Sequence, residues 1–467
     1  MINLLIIGAG SAGTMVINEI INHNETISKY NIIGLLDDDK NKIKILNFPV
    51  LGVIAEAKKI INKYKVVEVI IAIPSANRST INNILNYLSG SKVKIKIVPG
   101  LYEIIEGNVT LRQIRDIEPQ DLLGREEIGF DINKISPYYN NKTVFITGAG
   151  GSIGSEILLQ LLKLPIKKVI AFGHGENSIY MLKNQIDDIN KFEYVIGDIR
   201  DYKKINHELN KYKPDIFFHS AAHKHLPLME DYPDEAIKNN IIGTYNCAKS
   251  VIENKIKKFI FISTDKAVNP TSVMGATKRI AEKIILAFNN LQDHTKFSLV
   301  RFGNVLNSRG SVVPVFRQEI EKGGPITITH KNITRYFMSI PEAARLVIKS
   351  VTLDDGKIFI LDMGKPIKIT HLAKNLIKLY GLKENQIPII FTGLRKGEKM
   401  HEEISIDYER LKKSEYLKLF ISKENNFNMN NNELLTMINE LSDAADTYNE
   451  ILIKNLLKKY VPEYNSN

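Results

Sequence analysis

Residues 143–156 read Thr-Val-Phe-Ile-Thr-Gly-Ala-Gly-Gly-Ser-Ile-Gly-Ser-Glu, a short apolar run that passes directly into a glycine-rich turn. The glycines Gly148, Gly151 and Gly154 have the spacing GxxGxxG, and a helical pattern follows over 156–162. Strand, glycine turn and helix in this order open a doubly wound parallel sheet. Glycine permits the tight turn and the close approach of a pyrophosphate, while the helix N-terminus offers unpaired N–H groups. The turn therefore predicts a dinucleotide-binding site.

The same design occurs at the start of the chain. The apolar run Leu4–Ile7 leads into Gly8-Ala-Gly-Ser-Ala-Gly, and a helical pattern follows over 15–21. An acidic residue after the next apolar run can bind a ribose hydroxyl. Two interpretations stay open: this domain binds a nucleotide or related ligand, or it is a structural or regulatory domain that binds none. The residues of this candidate second nucleotide site are Gly8, Gly10, Gly13 and Asp37.

Further apolar runs of strand length follow each glycine turn, with helix-like polar segments between them. They occur at 32–36, 67–73 and 93–98 after the first turn, and at 169–172, 194–196, 216–219, 259–262 and 298–302 after the second. The pattern predicts an α/β fold with two Rossmann-like, doubly wound parallel-sheet domains, the second carrying a mostly α substrate-binding lobe. The predicted segments are a first domain at 1–120, a connector at 121–140, the second domain with its lobe at 141–425, and a helical tail at 426–467.

The composition limits the functional classes. A chain of 467 residues with 44% hydrophobic and 25% charged residues is typical of a soluble protein of more than one domain. The single cysteine, Cys247, excludes an internal disulfide and suits a reducing compartment. The net charge of +11 comes from scattered lysines, so no nucleic-acid partner is predicted. No apolar stretch reaches the roughly 18 residues of a membrane span. The expected location is the cytoplasm, for a free protein or for the soluble part of a membrane-anchored one.

The segment 264–278 carries the most specific chemistry. Lys278 follows Met274 by four residues, so both lie on one face of a helix. In a nicotinamide-dependent sugar enzyme the first position usually holds a tyrosine base, and a thioether cannot carry a proton. The nearest residues with proton chemistry are Thr264, Asp265 and Lys266. Taken alone, the acid and the lysine are better explained as a surface ion pair, and the methionine as core packing.

Several motifs in a fixed order resemble an extended short-chain dehydrogenase/reductase. Together they look like the nucleotide-sugar 4,6-dehydratases of bacterial polysaccharide and glycoprotein biosynthesis, and most like the large, PglF/WbpM-like UDP-N-acetylglucosamine 4,6-dehydratases. The resemblance covers about residues 120–420, and the first domain resembles the nucleotide-binding-like domain that precedes the catalytic one in those enzymes. Two features depart from the family: the sequence contains no stretch that predicts the transmembrane helices which the large members carry ahead of the first domain, and Gly173 stands where relatives often have Asp. The motifs are 146–156, 219–230, 263–270, 301–305, 334–338 and 395–399.

The resemblance implies a reaction and a set of roles. Such enzymes oxidise carbon 4 of the sugar, eliminate water across carbons 5 and 6, and return the hydride to carbon 6. It implies Lys266 as the base at carbon 5, Asp265 as the acid for the departing hydroxyl and Thr264 as the relay for the proton on oxygen 4. Lys278 would bind the nicotinamide ribose, and Met274 would fill space beside the sugar. Because methionine-bearing large members retain the configuration at carbon 5, the implied product is UDP-2-acetamido-2,6-dideoxy-α-D-xylo-hexos-4-ulose.

The resemblance also implies the ligands. The cofactor is NAD, with NADP not excluded, tightly bound and regenerated in each turnover, and the substrate is UDP-N-acetylglucosamine. No metal is required, and a homodimer or higher homo-oligomer is expected. The expected cofactor residues are Gly148, Gly151, Ser152, Ile153, Gly154, Glu176, Asp198, Ile199, Ala221 and Lys278. The expected substrate residues are Lys224, His225, Asn304, Arg309, Arg335, Arg395 and Glu398.

Two rival functions remain at this point. A nucleotide-sugar 4-epimerase shares the oxidation at carbon 4 but needs no acid at carbon 6, and it would be expected to keep the tyrosine. A non-catalytic, nucleotide-sensing regulator could use both glycine turns without carrying out a reaction.

Overall fold

The computed structural model describes residues 1–22, 27–98, 114–122, 131–353, 358–405, 411–422 and 429–465. Contacts divide the chain into two compact units. The first unit comprises residues 1–129, 310–332 and 367–392, and the second comprises 130–309, 333–366 and 393–467. The domain boundaries expected near residues 120, 140 and 425 stay predictions, and residues 123–130 and 423–428 beside them lie outside the described part.

The strands, in chain order, are β1 (Ile2–Ile7), β2 (Tyr30–Leu36), β3 (Lys44–Ile45), β4 (Phe48–Pro49), β5 (Glu68–Ile71), β6 (Lys94–Ile97), β7 (Arg115–Asp116), β8 (Thr143–Thr147), β9 (Lys168–Gly173), β10 (Phe192–Ile196), β11 (Ile216–His219), β12 (Lys258–Ile262), β13 (Lys296–Arg301), β14 (Asn304–Val305), β15 (Ile326–Ile328), β16 (Thr334–Arg335), β17 (Phe337–Met338), β18 (Ile358–Leu361), β19 (Ile367–Lys368), β20 (Ile389–Phe391), β21 (Leu411–Lys413) and β22 (Leu419–Ser422).

The α-helices are α1 (Ser11–Asn22), α2 (Ala57–Tyr64), α3 (Arg78–Leu88), α4 (Ile132–Tyr139), α5 (Ser152–Leu161), α6 (Glu176–Lys183), α7 (Tyr202–Tyr212), α8 (Leu226–Asp231), α9 (Pro233–Ala236), α10 (Gly243–Glu253), α11 (Val273–Leu291), α12 (Val312–Glu321), α13 (Ile340–Ser350), α14 (Ile369–Leu379), α15 (Asn431–Asp446) and α16 (Glu450–Tyr460). A π-helical segment, Ile237–Ile242, joins α9 to α10.

The second unit is built on a nine-stranded sheet in the order β10-β9-β8-β11-β12-β13-β18-β22-β21. The strands from β10 to β18 run parallel, and β22 and β21 are antiparallel to their neighbours. The strand order reverses between β8 and β11, which opens a crevice at their carboxyl ends. In an open α/β sheet this crevice is the expected place for a ligand.

A row of phenylalanine rings fixes the register of the central strands. Phe145, Phe217, Phe259 and Phe297 lie directly opposite one another on β8, β11, β12 and β13. Their ring centroids are 5.3, 5.1 and 5.1 Å apart along the row, and all four side chains are buried. Each such pair contributes about 0.5–1.5 kcal/mol beyond burial. Because a slip of one residue would turn these rings to the other face, the row aligns the carboxyl ends of the four strands.

The first unit contains a five-stranded sheet in the order β2-β1-β5-β6-β7. Its first four strands are parallel and β7 is antiparallel to β6. Buried aliphatic clusters cover both faces, one formed with α2 and α3 and the other with α1. Parallel strands with helices on both faces confirm the predicted α/β class.

The predicted connector and the predicted helical tail contain more detail than the sequence indicated. The segment taken as a connector contains α4, whose N-terminus is capped by Asp131. The hydroxyl of Tyr139 on this helix donates to the carbonyl of Ile348 (2.8 Å). The tail, predicted as one helical pattern, forms α15 and α16, with Tyr448 in the left-handed region (φ 55°) between them. Both tail helices pack against α11. The homo-oligomer expected from the sequence stays a prediction.

A buried ionic cluster anchors the carboxyl end of β12. The carboxylate of Glu282 on α11 accepts bonds from Arg301 Nε and Nη2 (both 2.7 Å), from Arg279 Nη1 (3.0 Å) and from Ser263 Oγ (2.6 Å). Burial by itself would raise the pKa of Glu282, but Arg301 and the other donors outweigh it and lower the pKa to about 2. Glu463 of the tail bonds to Arg279 (3.0 Å) and extends the cluster to the chain end.

Replacing Glu282 by Gln should destabilise the protein strongly. Arg301 would stay buried without its counter-charge, a change that costs about 3–5 kcal/mol of unfolding free energy. Because folding lowers the pKa of Glu282 from 4.5 to about 2, its stabilisation is complete above about pH 4.5 and is lost as the pH falls toward 2. Urea denaturation followed by circular dichroism at several pH values measures both effects. Glu440→Gln, which removes surface contacts with Lys459 and Tyr460, is the control and should lose far less stability than Glu282→Gln; equal losses in both variants would contradict this account.

Candidate functional site

The glycine turn after β8 has the geometry that the spacing predicted. Gly148 is in the left-handed region (φ 65°), and a Cβ there would lie 2.6 Å from the backbone nitrogen of Ala221, which follows β11. A Cβ on Gly154 would lie 2.4 Å from the carbonyl oxygen of Gly148. Only glycine fits either position, and α5 begins immediately after Gly151. The first N–H groups of this helix have no partner within the helix and can bind a pyrophosphate.

The other expected cofactor residues lie at the same edge of the sheet. Glu176 is the first residue of α6, after β9, and Ile199 is buried after β10. Asp198 is held by Arg200, whose Nε lies 3.1 and 3.0 Å from its two oxygens and whose Nη2 lies 2.7 Å from one of them. Although burial opposes the shift, these bonds lower the pKa of Asp198. Sequence reasoning did not anticipate this pairing of the expected adenine-contacting acid.

Thr264, Asp265 and Lys266 converge at the carboxyl end of β12. Asp265 and Lys266 lie in a 3₁₀ turn whose N-terminal cap is Thr264. The hydroxyl of Thr264 donates to Asp265 Oδ1 (2.8 Å), and Lys266 Nζ donates to the same oxygen (3.0 Å). Lys266 Nζ also donates to Oδ1 of Asn304 (2.9 Å), which follows β13. A strand would have turned adjacent side chains to opposite faces, whereas this turn brings them together.

The two oxygens of the Asp265 carboxylate have different surroundings. Asp265 is fully buried, and its Oδ2 has no hydrogen-bond partner among the described residues. A Cβ built on Gly303 would lie 3.1 Å from this oxygen, so the glycine leaves it room. A buried acceptor without a partner is costly unless a ligand or water satisfies it. The arrangement is therefore suited to a carboxyl group that meets a substrate.

Lys266 holds its proton more firmly than an ordinary lysine. Burial would lower its pKa, but the charges of Asp265 and Glu402 outweigh burial and raise it. Glu402 Oε1 lies 3.7 Å from Lys266 Nζ and 3.7 Å from Nε of Arg335. Burial and the charge of Asp265 raise the pKa of Glu402. Sequence reasoning missed Glu402, because only its position shortly after the 395–399 motif set it apart.

Met274 and Lys278 lie one turn apart at the start of α11, both buried. Lys278 Nζ donates to the carbonyl of Ile262 (2.7 Å) and lies 3.8 Å from the ring centroid of Phe261. Burial lowers the pKa of Lys278 to about 7. A Cβ on Gly275 would lie 2.4 Å from the carbonyl oxygen of Lys266, so this glycine lets α11 begin against the reactive turn.

The expected substrate residues surround this cluster in two groups. Arg335 Nη2 donates to Glu398 Oε1 (3.0 Å), and the backbone N–H of Arg395 donates to Glu398 Oε2 (3.2 Å). Lys224 Nζ bonds to Ser308 (3.4 Å), and burial lowers the pKa of Lys224.

Two further expected substrate residues lie at element ends. The backbone N–H of Arg309 donates to the hydroxyl of Ser152 beside the glycine turn (3.2 Å). His225 is the residue that precedes α8, and burial lowers its pKa.

The glycine turn of the first unit is also tightly built. Gly8 has φ 107°, and a Cβ on Gly13 would lie 2.1 Å from the carbonyl oxygen of Gly8. Around Gly10 no described atom lies within 4 Å of such a Cβ. Asp37 accepts from the backbone N–H of Ala9 (2.6 Å) and pairs with Lys42 (3.1 Å). The carboxylate therefore braces the turn, and ligand binding there stays a prediction.

Two features are absent from the described residues. In that part of the chain no helix is long and apolar enough to cross a membrane. No cluster of His, Cys, Asp or Glu side chains suitable for a metal ion occurs there either.

A family model described as polysaccharide biosynthesis protein matches residues 144–424. The chain belongs to this polysaccharide biosynthesis protein family. The match supports the resemblance to an extended short-chain dehydrogenase/reductase of polysaccharide biosynthesis. A second model, described as a CoA-binding domain, matches residues 2–99 of the first unit.

Two similar proteins carry names that refer to polysaccharide biosynthesis or to nucleotide-sugar conversion. The capsular polysaccharide biosynthesis protein CapD of Staphylococcus aureus is 44% identical over 91% of this chain and 72% of its own length. A UDP-glucose 4-epimerase of Rickettsia canadensis is 35% identical over 59% of this chain and 81% of its own length.

Solved structures share the fold. Pen from Bacillus thuringiensis has a TM-score of 0.58 and 35% identity over 61% of this chain and 90% of its own. DesIV, a dTDP-glucose 4,6-dehydratase from Streptomyces venezuelae with NAD and TYD bound, has a TM-score of 0.51 over 56% of this chain and 83% of its own. At 18% identity the DesIV likeness concerns the fold alone.

Replacing Gly154 by Ala should abolish dinucleotide binding in the second unit. The added methyl group would lie 2.4 Å from the Gly148 carbonyl oxygen, so the turn must open and the helix N-terminus must move. Isothermal titration calorimetry with NAD measures the effect. Ser155→Ala, on the same turn of α5, removes only a local bond to the Ser152 carbonyl and should bind as the parent protein does. Unchanged NAD affinity in Gly154→Ala would show that this turn is not the cofactor site.

Proposed function

We propose that the second unit is a UDP-N-acetylglucosamine 4,6-dehydratase that retains the configuration at carbon 5. The observation that carries the proposal is the bonded set of Thr264, Asp265 and Lys266, opposite a helix that holds Met274 in place of a tyrosine base. The product would be UDP-2-acetamido-2,6-dideoxy-α-D-xylo-hexos-4-ulose, a sugar nucleotide suited to bacterial glycan assembly. Membership in the polysaccharide biosynthesis family supports this assignment.

The residues present fit NAD as the cofactor. The cradle between Gly148, Gly154 and Ala221 would be filled by any Cβ, and it opens on the N-terminus of α5. When bound, NAD supplies an acceptor for the hydride on carbon 4 and its return to carbon 6, so the cofactor is regenerated in each turnover. Lys278, with its pKa lowered to about 7, is the residue proposed to bind the nicotinamide ribose.

The proposed path of the oxygen protons follows one hydrogen bond. The proton on oxygen 4 passes to Thr264 Oγ as the hydroxyl proton of Thr264 passes to Asp265 Oδ1, 2.8 Å away. Asp265 thereby becomes the acid that protonates the hydroxyl on carbon 6, which leaves as water. The proton lost from oxygen 4 is thus the one gained by the leaving water. This path lets Asp265 begin as a carboxylate, which suits the two donors on its Oδ1.

Lys266 is the proposed base for the carbon proton. The ketone at carbon 4 acidifies the proton on carbon 5, and the neutral amine of Lys266 takes it as the bond from carbon 6 to oxygen breaks. When the hydride returns to carbon 6, Lys266 gives the proton back to the same face of carbon 5. Return by the group that removed the proton retains the configuration.

The cationic residues around the turn suit the diphosphate of a nucleotide sugar. Arg309 and Lys224 are proposed to bind the phosphates, since charge-assisted hydrogen bonds are the strongest available to them. Arg335, Arg395 and Glu398 are linked to one another and are proposed to hold the uridine end.

The rival reaction, epimerisation at carbon 4, has support in the relatives named UDP-glucose 4-epimerase. An epimerase needs neither an acid at carbon 6 nor a base at carbon 5. The unpartnered Oδ2 of Asp265 and the amine of Lys266 beside it therefore favour dehydration.

Incubation with UDP-N-acetylglucosamine in deuterated water tests the assignment. We expect a product lighter by one water, with deuterium at carbon 5 and the starting configuration there, read by mass spectrometry and NMR. An isomer of unchanged mass would establish the epimerase instead.

Asp265→Asn and Lys266→Met should each lower kcat by at least about 100-fold, because each removes one proton carrier. Asp293→Asn and Lys296→Met, at exposed positions of the same unit, are the matched controls and should keep the parent rate. Dehydration at the parent rate in both reactive-turn variants would refute the assigned roles.

A further inference from the structure

Glu402 is a buried acid without an assigned role. Glu402 is only 6% exposed, and its Oε2 has no hydrogen-bond partner among the described residues. Its Oε1 faces two cations, Lys266 Nζ and Arg335 Nε, each at 3.7 Å. This distance is somewhat longer than a direct hydrogen bond, so a small shift of the side chains would bring the groups into hydrogen-bond contact.

The amine of Lys266 therefore lies between two buried carboxyl groups. Asp265 is bonded directly to it and Glu402 is slightly farther away. The pKa of Glu402 is raised by burial and by Asp265, and the pKa of Lys266 is raised by the two acids in spite of burial. A lysine in this state is an ammonium ion and cannot take a proton from carbon. The proposed base consequently needs a nearby acceptor for its own proton.

Asp265 is bonded to Lys266 but is already needed for another proton, so it cannot be that acceptor. In the proposed reaction it receives the proton of oxygen 4 through Thr264 and delivers it to the leaving hydroxyl. A carboxylate that had already taken the proton of Lys266 could not accept the one from oxygen 4. A second carboxyl group close to Lys266 removes this conflict.

We infer that Glu402 is a positioning residue that acts through Lys266, taking the ammonium proton so that the neutral amine can act at carbon 5. This inference rests on the proposed dehydratase function. In the first step the Glu402 carboxylate and the Lys266 ammonium become a carboxylic acid and an amine. In the second the amine takes the proton of carbon 5, the electron pair of that C–H bond forms the double bond to carbon 6, and the bond from carbon 6 to oxygen breaks as the hydroxyl leaves as water with the proton from Asp265. Return of the carbon proton and then of the Glu402 proton restores the starting state.

The test compares Glu402→Gln with Glu403→Gln. Gln keeps the shape of the side chain but cannot take the proton, and Glu403 is the exposed neighbour, bonded to Asn269. For Glu402→Gln we expect kcat to fall roughly 100-fold with KM within about twofold, the size expected for one lost proton carrier. Deuterium exchange at carbon 5 should slow in parallel. The variant's rate should also rise with pH where the parent's is level, because Lys266 must then lose its proton to solvent.

Glu402→Asp separates the proton role from a structural one. It keeps a carboxyl group, so it should recover at least about tenfold of the activity lost in Glu402→Gln, with all thermal midpoints measured alongside. Rates and exchange in Glu402→Gln equal to those of Glu403→Gln would overturn the inference. So would a Glu402→Asp variant as inactive as Glu402→Gln when both keep the parent's thermal midpoint. If the parent protein itself forms no dehydrated product, the proposed function fails, whatever the variants do.

Discussion

Stacked phenylalanine rings across four parallel strands hold the edge of the sheet on which every proposed reactive group lies. Phe145, Phe217, Phe259 and Phe297 fix the register of β8, β11, β12 and β13. Parallel strands in register end at one edge, so the glycine turn, the turn at Asp265 and the residue Asn304 come together without further adjustment. The positions of the loop residues at this edge thus depend on aromatic packing within the sheet, a few residues before each strand ends.

The same end of β12 is held by charge. Glu282 and Arg301 are almost completely excluded from water, a state that is costly unless the pair is well bonded. Here each carboxylate oxygen has two donors, and one of them is Ser263, the residue before Thr264. The ion pair is therefore better understood as a device that fixes the start of the reactive turn than as a source of net stability.

The parallel strands, the glycine turns and the adjacent pair Asp265 and Lys266 could all be predicted from the sequence. Apolar runs marked the parallel strands because those strands are buried on both faces, and glycine spacing marked the turns because no other residue fits at Gly148 or Gly154. The grouping of Asp265 with Lys266 followed from their adjacency after a strand. The placement of Glu402 beside Lys266 and Arg335 could not be predicted, since these residues are distant from it in sequence. The sequence likewise does not indicate that Glu402 joins the adjacent Asp265 in raising the pKa of Lys266.

In the proposed dehydratase mechanism, the methionine on α11 explains why two proton routes are needed. A tyrosine at that position could remove the proton of oxygen 4 and exchange protons with Lys278, since burial lowers the pKa of this lysine to about 7. With Met274 there, the proposed mechanism leaves α11 only Lys278, which it assigns to the cofactor, and it assigns the protons of the sugar to the turn at the end of β12. Thr264 and Asp265 can move one proton between two oxygens of the sugar, but they cannot at the same time neutralise the base for carbon 5. A separate carboxyl group beside Lys266 is what such a site requires, and Glu402 is the buried acid within reach.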